Sequence, residues 1–207
     1  IANLALQKGP ISWTQMHRGH HADTDGPNDP HSPRERGLWW AQIGWMLYEN
    51  PNIERSVLNK YAQDLERDEV HKWMNKYWWA SSVVLAIIFF CAGWITDGFF
   101  YGIALVVYGT FGSTVVGWHF TWLVNSVAHK RKLGYRNFKE LKDDSCNNPL
   151  VTVVTFGEGW HNNHHKYEVA SRQGFFWWEV DITWYILKLF SLMGLIWDLK
   201  GVPDHIK

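Results

Sequence analysis

Two apolar runs constrain this chain more than any other feature. Trp78 to Ile95 is an 18-residue stretch without a charge, and Phe99 to Val124 is a 26-residue stretch with one titratable group, His119. At ~1.5 Å per residue, a helix over either run can cross a hydrocarbon core ~30 Å thick, the first run only marginally. Asp97-Gly98 separates them as a short turn. The competing reading is a pair of buried helices in a soluble core. The length of the runs and the Trp residues at their flanks favour the bilayer, where Trp and Tyr gather at the interfaces. The expected fold class is therefore all-α, an integral membrane protein with a transmembrane helical hairpin spanning residues 78–95 and 99–124.

Charge orients the hairpin. The segment from His17 to Tyr77 holds eight Lys and Arg, and the segment from Asn125 to Gly174 holds eight more, while the turn carries only Asp97. Positive-inside bias puts both basic segments in the cytoplasm, which a two-span hairpin allows. The net charge of zero gives no electrostatic support to nucleic-acid binding. Cys91 and Cys146 form no CxxC pair, so no disulfide framework is expected, and Cys91 reads as a small buried hydrophobe.

The flanking segments read as follows. Ile1 to Leu6 resemble the tail of an apolar helix, and Asp23 to Gly37 is a loop rich in Asp, Pro and Gly that contains His31. Residues 38–48 are aromatic but too short to span, and His71 sits among surface charges. Asn52 to Lys76 is charged and helix-favouring, with Ile53, Val57, Tyr61 and Leu65 near helical spacing. It is expected to be an amphipathic helix on the membrane surface or against the catalytic part. Residues 175–199 are again apolar, but Glu179, Asp181, Lys188 and Asp198 interrupt them, so an interfacial helix fits better than a third crossing.

Histidine carries the chemistry. Seven of the eleven histidines fall in three clusters: His17-Arg18-Gly19-His20-His21, Asn125-Ser126-Val127-Ala128-His129, and Gly157-Glu158-Gly159-Trp160-His161-Asn162-Asn163-His164-His165. On a helix, the triplets at i, i+3 and i+4 share one face. Neutral imidazoles facing one way suit Zn, Cu, Fe or Ni. The bland alternative is solvated loop histidines, or a His-rich tract that takes up metal adventitiously. A soluble di-iron bundle would use paired Glu-x-x-His motifs. This chain has one, Glu158 to His161.

HRGHH, NSVAH and GEGWHNNHH together resemble the membrane fatty acid desaturases, in their Δ9-type acyl-lipid and acyl-CoA branch, over nearly the whole chain. The resemblance implies a cytoplasmic His-rich di-iron catalytic part and a single desaturase domain over residues 1–207. It implies His17, His20, His21, His129, His161, His164 and His165 as ligands of two iron ions, with Asn125 acting through a water. The family's earlier HxxxxH box, which supplies two more ligands, occurs nowhere in these residues. The chain opens Ile1-Ala2-Asn3-Leu4 with no initiator Met and no signal-peptide pattern. It is expected to be a fragment, incomplete at its N-terminus and inactive alone.

By position, Gln7, Trp13, Thr121 and Trp122 match residues that line the family's bent acyl tunnel. Trp13 and Trp122 could also be plain interfacial aromatics. His119, an ionisable group inside a span, is expected to line the tunnel or to support a ligand from behind. Glu158 either fixes an imidazole tautomer or serves as a local cap or ion-pair residue. Gln15, Tyr48 and Glu49 stand where animal acyl-CoA enzymes carry basic residues for the CoA head group. A lipid-linked or acyl-carrier substrate is therefore expected, with Lys8 and Arg18 as phosphate contacts.

Desaturation removes hydrogens from unactivated methylenes, which no side chain can do, so the metal must activate O2 for the step. O2 is the co-substrate, membrane lipid surrounds the spans, and a ferredoxin or cytochrome b5-type protein donates electrons. Two other readings remain open. One is a membrane di-iron hydroxylase or ketolase acting on alkanes, sterols or carotenoids; the other is a non-enzymatic membrane haem or metal-binding protein.

Overall fold

The structure, a computed structural model, describes residues 2–48 and 58–207. The helices in chain order are α1 (Pro10–Ala22), α2 (Pro33–Trp39), α3 (Glu69–Lys76), α4 (Ala80–Asp97), α5 (Phe99–Ser126), α6 (Pro149–Thr155), α7 (His161–Lys166) and α8 (Ile182–Leu192). No strand occurs among the described residues, only isolated bridges that pair Asn147 with Tyr135 and with Trp160. The chain divides into two compact units. Ile1–Asp23 with Asn50–His119 forms the first, and Thr24–Glu49 with Phe120–Lys207 forms the second.

In the first unit, Pro10 opens α1, where its missing N–H costs nothing. The cap comes from far along the chain: Asn75 Oδ1 accepts from Ser12 N at 3.1 Å. Gly9 lies so close to Asn75 that a Cβ there would strike it. Gly19, inside the first histidine box, packs in the same way against Leu58 and Tyr61. Arg18 also holds α1, donating to both Asp64 oxygens at 2.7 and 3.0 Å and to Tyr61 O at 2.8 Å. The expected phosphate contact is thus engaged in an ion pair within the protein.

Glu49 and the first part of the expected amphipathic segment, residues 52–57, lie outside the described residues. Its remainder is not one continuous helix. Short 3-10 turns cover Lys60–Ala62 and Leu65–Arg67, and Asp68 then starts α3 afresh by accepting from Val70 N at 2.8 Å. An Asp with extended backbone is a better helix N-cap than an interior residue, which explains the break.

Helices α4 and α5 form the antiparallel pair expected from the apolar runs. Gly98, at φ 88°, turns the chain between them. Gly93 and Gly102 bring the two backbones together, and a Cβ on Gly102 would come within 2.7 Å of Phe90 O. Small residues at such crossings allow the close approach typical of helices in lipid. Both helices are largely unburied along their apolar lengths. Both are long and apolar enough to cross a membrane, and Ile87, Ile88, Ile95 and Phe100 are exposed along them. Cys91 is exposed on α4, not buried as its apolar neighbours suggested. A π-helical turn, Val107–Gly112, widens α5, and Ser113 Oγ donates to Gly109 O at 2.6 Å where the regular ladder is disturbed.

In the second unit, α2 continues through a π turn at Trp40–Gly44 into Trp45–Leu47. Asn148 caps α6, accepting from Val151 N at 2.9 Å. The helix ends at Phe156 in the left-handed conformation, φ 58°, followed by Gly157 at φ 136°. That reversal brings the third histidine box back over α6. Asp181 caps α8 through Trp184 N at 2.9 Å, and its other oxygen accepts from Gln173 N at 2.7 Å. The apolar run expected over 175–199 is helical over Ile182–Leu192, with Leu192, Leu195 and Trp197 exposed.

Candidate metal centre

The third box is a short buried helix held on one side by amides and presenting imidazoles on the other. Asn147 Oδ1 accepts from Asn162 N at 3.0 Å and from Asn163 N at 3.2 Å, satisfying donors that the first turn of α7 cannot pair internally. Asn162 and Asn163 are fully buried. Asn162 binds the backbone of Phe138, with Phe138 N donating to its Oδ1 at 2.8 Å. Asn163 Nδ2 donates to Glu179 Oε2 at 2.6 Å. Gly159 lies against Thr152 and Asn148, where any Cβ would collide with their backbone. The Asn and Gly residues of GEGWHNNHH thus seat the box, while His161, His164 and His165 project from it.

His129 follows the end of α5 and meets this set. Its Nε2 lies 2.9 Å from His161 Nε2, and His165 Nε2 lies 2.9 Å from the same atom. One ring nitrogen has a single in-plane site, either a hydrogen or a lone pair, so His161 Nε2 cannot make two good hydrogen bonds. A shared cation would resolve the arrangement. A first-row metal ~2.1 Å from each nitrogen sets neighbouring ligands ~3 Å apart at right angles. His129 and His161 are 1% and 4% exposed, so this is a dry site for bare imidazoles. The residues present fit a metal held by nitrogen.

Behind His129 stands a carboxylate. His129 Nδ1 lies 3.0 Å from Asp25 Oδ2, and both side chains are fully buried. Burial alone would raise the Asp25 pKa, but the hydrogen bond and charge of His129 outweigh it and lower it to about 2. His164 stacks on His161 with ring centroids 5.6 Å apart.

In the first unit, α1 carries His17, His20 and His21 on one face. The His17 and His21 rings are 4.6 Å apart, those of His20 and His21 are 5.3 Å apart, and His20 is 1% exposed. Trp13, 46% exposed, stacks on His17 at 4.6 Å. Gln7 is half-buried just before α1, and His119 is exposed on α5. In the second unit, Asn125 and Thr121 are half-buried on α5, and Trp122 is buried with its ring edge-on to Trp45 at 6.3 Å. Of the expected site residues within the second unit, His129, His161 and His165 converge. Asp25, Asn147 and Glu179 were not expected to serve the site.

Glu158 precedes the imidazoles as a buried carboxyl beside Asp181. Burial, aided by the neighbouring Asp181 charge, pushes its carboxyl up from 4.5 to about 7. The folded chain therefore keeps a proton that the unfolded chain releases between pH 4.5 and 7, and stability falls as pH rises through that interval. Glu158→Gln cannot ionise. It is expected to be more stable than the parent above pH 7 and to show no gain below pH 4.5. Melting temperatures of the two proteins between pH 4.5 and 8 check this, and parallel curves would contradict it.

The chain carries paired apolar helices long enough to cross a membrane and a buried imidazole cluster, backed by a carboxylate, that could hold a metal ion. Comparison with known proteins names the family. The fatty acid desaturase family model matches residues 1–196. The chain is 40% identical to an sn-2 palmitoyl-lipid 9-desaturase of Nostoc sp. (strain 36), over 99% of this chain and 68% of that protein. It is 38% identical to an sn-1 stearoyl-lipid 9-desaturase of Anabaena variabilis, over 95% of this chain and 67% of that protein. It is also 38% identical to an acyl-CoA C20 Delta5-desaturase of Anemone leveillei, over 98% of this chain and 61% of that protein. The chain thus spans roughly three fifths to two thirds of these relatives. It belongs to the fatty acid desaturase family, whose members are membrane-bound oxidoreductases.

Proposed function

We propose that this protein is an O2-dependent fatty acyl desaturase that introduces a cis double bond, at the Δ9 position, into a saturated chain at a di-iron centre. The convergence of three imidazole Nε2 atoms, with His161 Nε2 2.9 Å from each of the others, is the observation that carries this reading. The ligands are His17, His20, His21, His129, His161, His164 and His165, with Asn125 acting through a water. The iron pair, when bound, supplies O2 activation and removal of two hydrogens from adjacent methylenes. One O2, two external electrons and two protons then balance the alkene and two waters. A ferredoxin or cytochrome b5-type donor delivers the electrons.

The chain's own residues bind, orient and exclude water. The neutral imidazoles leave the cluster strongly positive, and the burial of His20, His129, His161 and His164 keeps solvent from a reactive site. Gln7, Trp13, Thr121 and Trp122 line the acyl tunnel, and Trp45 braces Trp122. The names of the two cyanobacterial relatives support a lipid-linked substrate. Gln15 supports it too: its amide contacts Asn59 and Glu66, at a position where the animal acyl-CoA enzymes carry a basic residue. Helices α4 and α5 cross the membrane, α8 lies in the interface, and both basic segments face the cytoplasm. Protease protection that put residues 17–36 and 130–142 on opposite faces would overturn that topology.

Fatty acid methyl ester profiling tests the function in a host without a desaturase. The full-length protein is expected to form cis-9 monoenes; hydroxylated chains or no product would contradict the reading. Because the site needs two histidines beyond those here, the 207 residues expressed alone are expected to hold little iron and form no product. Added sequence bearing an HxxxxH box is expected to restore both.

A further inference from the structure

Asp25 sits in a stretch with no sequence motif to mark it, yet it is 1% exposed and has three donors on its carboxylate. Oδ2 takes His129 Nδ1 at 3.0 Å and the backbone N–H of Asp144 at 2.7 Å, and Oδ1 accepts from Ser32 Oγ at 3.1 Å. Its backbone is also unusual. Asp25 is held at φ 59°, the left-handed region, and its N–H donates to Asp29 Oδ2 at 2.8 Å. Asp29 Oδ1 in turn accepts from His31 N at 3.0 Å. Uncommon backbone of this kind persists where surrounding contacts over-determine it, and it gathers at functional sites. Here the left-handed turn aims a carboxylate at a residue 104 positions away.

We infer that Asp25 is a positioning residue for metal binding, whose negative charge holds the proton of His129 at Nδ1 so that Nε2 is left as a more basic ligand atom. The inference rests on the metal-centre reading above. A neutral imidazole carries its proton on one nitrogen only, and a carboxylate at Nδ1 decides which. Metal-ligating histidines commonly donate the other ring N–H to a carboxylate, which fixes the ring and raises its basicity. Losing such a partner typically lowers metal affinity about 10–100-fold. Asp25 also ties the loop before α2 to the loop at Asp144, so His129 is oriented from a rigid base.

The test uses the full-length protein in detergent with Asp25→Asn, Asp25→Ala and His129→Ala variants. Fe(II) retained against a chelator is measured beside the melting temperature of the metal-free protein. Asn matches the shape of Asp25 and can keep its neighbours paired while removing the charge. Asp25→Asn is expected to melt, metal-free, within a few degrees of the parent and to bind Fe(II) at least about 10-fold more weakly. Asp25→Ala is expected to lose both affinity and melting temperature. Parental Fe(II) affinity in Asp25→Asn overturns the inference, as does a melting loss in that variant equal to that of Asp25→Ala. The His129→Ala arm separates the failures. Full iron in His129→Ala overturns the metal-centre reading itself. Lost iron there with full iron in Asp25→Asn overturns only the role of Asp25.

Discussion

His161→Ala is expected to remove desaturation to below detection and to deplete bound iron. His161 Nε2 is the atom that both His129 Nε2 and His165 Nε2 approach to 2.9 Å. Loss of a partner that only touches a ligand costs about 10–100-fold in metal affinity or activity, so loss of the central ligand should cost at least about 100-fold. The fold should survive, because α7 is held by Asn162 and Asn163 on the side away from the imidazoles. Fatty acid profiles and iron per chain, measured on protein that still elutes as the parent does, check this. Parental iron with parental product would remove His161 from the site.

Glu179→Ala is expected to damage the fold instead. The Glu179 carboxylate is fully buried and accepts five hydrogen bonds. Tyr135 Oη and Asn137 Nδ2 donate to one oxygen at 2.6 and 2.7 Å. Asn163 Nδ2, Phe175 N and Phe176 N donate to the other at 2.6, 2.8 and 3.1 Å. Removing it leaves those donors without their acceptor, at a cost of about 3–5 kcal/mol. That is a large share of the ~5–15 kcal/mol that holds a typical domain together. The variant should give little folded protein and melt many degrees lower, and what remains should bind iron poorly because Asn163 loses one of the contacts that seat the box. Glu179→Gln, which keeps one carbonyl acceptor, should fall between. A parental melting temperature for Glu179→Ala would mean that the network is ornamental.

The contrast between these residues shows what was legible in the sequence. The paired helices α4 and α5 could be read because uncharged length is a local property. The box histidines could be read because their spacing is local too, and α7 and α1 are helical where the i, i+3, i+4 pattern requires it. Asp25 and Glu179 could not. Asp25 acts on His129 from 104 positions away, and within its own neighbourhood it looks like any acidic loop residue. Glu179 looked like a charge interrupting an apolar run, and its meaning depends on Tyr135, Asn137 and Asn163 folding around it. Cys91 failed differently. Apolar neighbours imply burial in water, whereas on a helix suited to lipid the same neighbours accompany exposure.

X-ray absorption at the iron edge of the full-length protein, purified in detergent, tests the central claim most directly. The account predicts iron with a shell of nitrogen and oxygen donors and strong outer-shell imidazole scattering, and predicts that His161→Ala loses this signal. A sulfur donor, a porphyrin signature, or iron scattering unchanged in His161→Ala would contradict it.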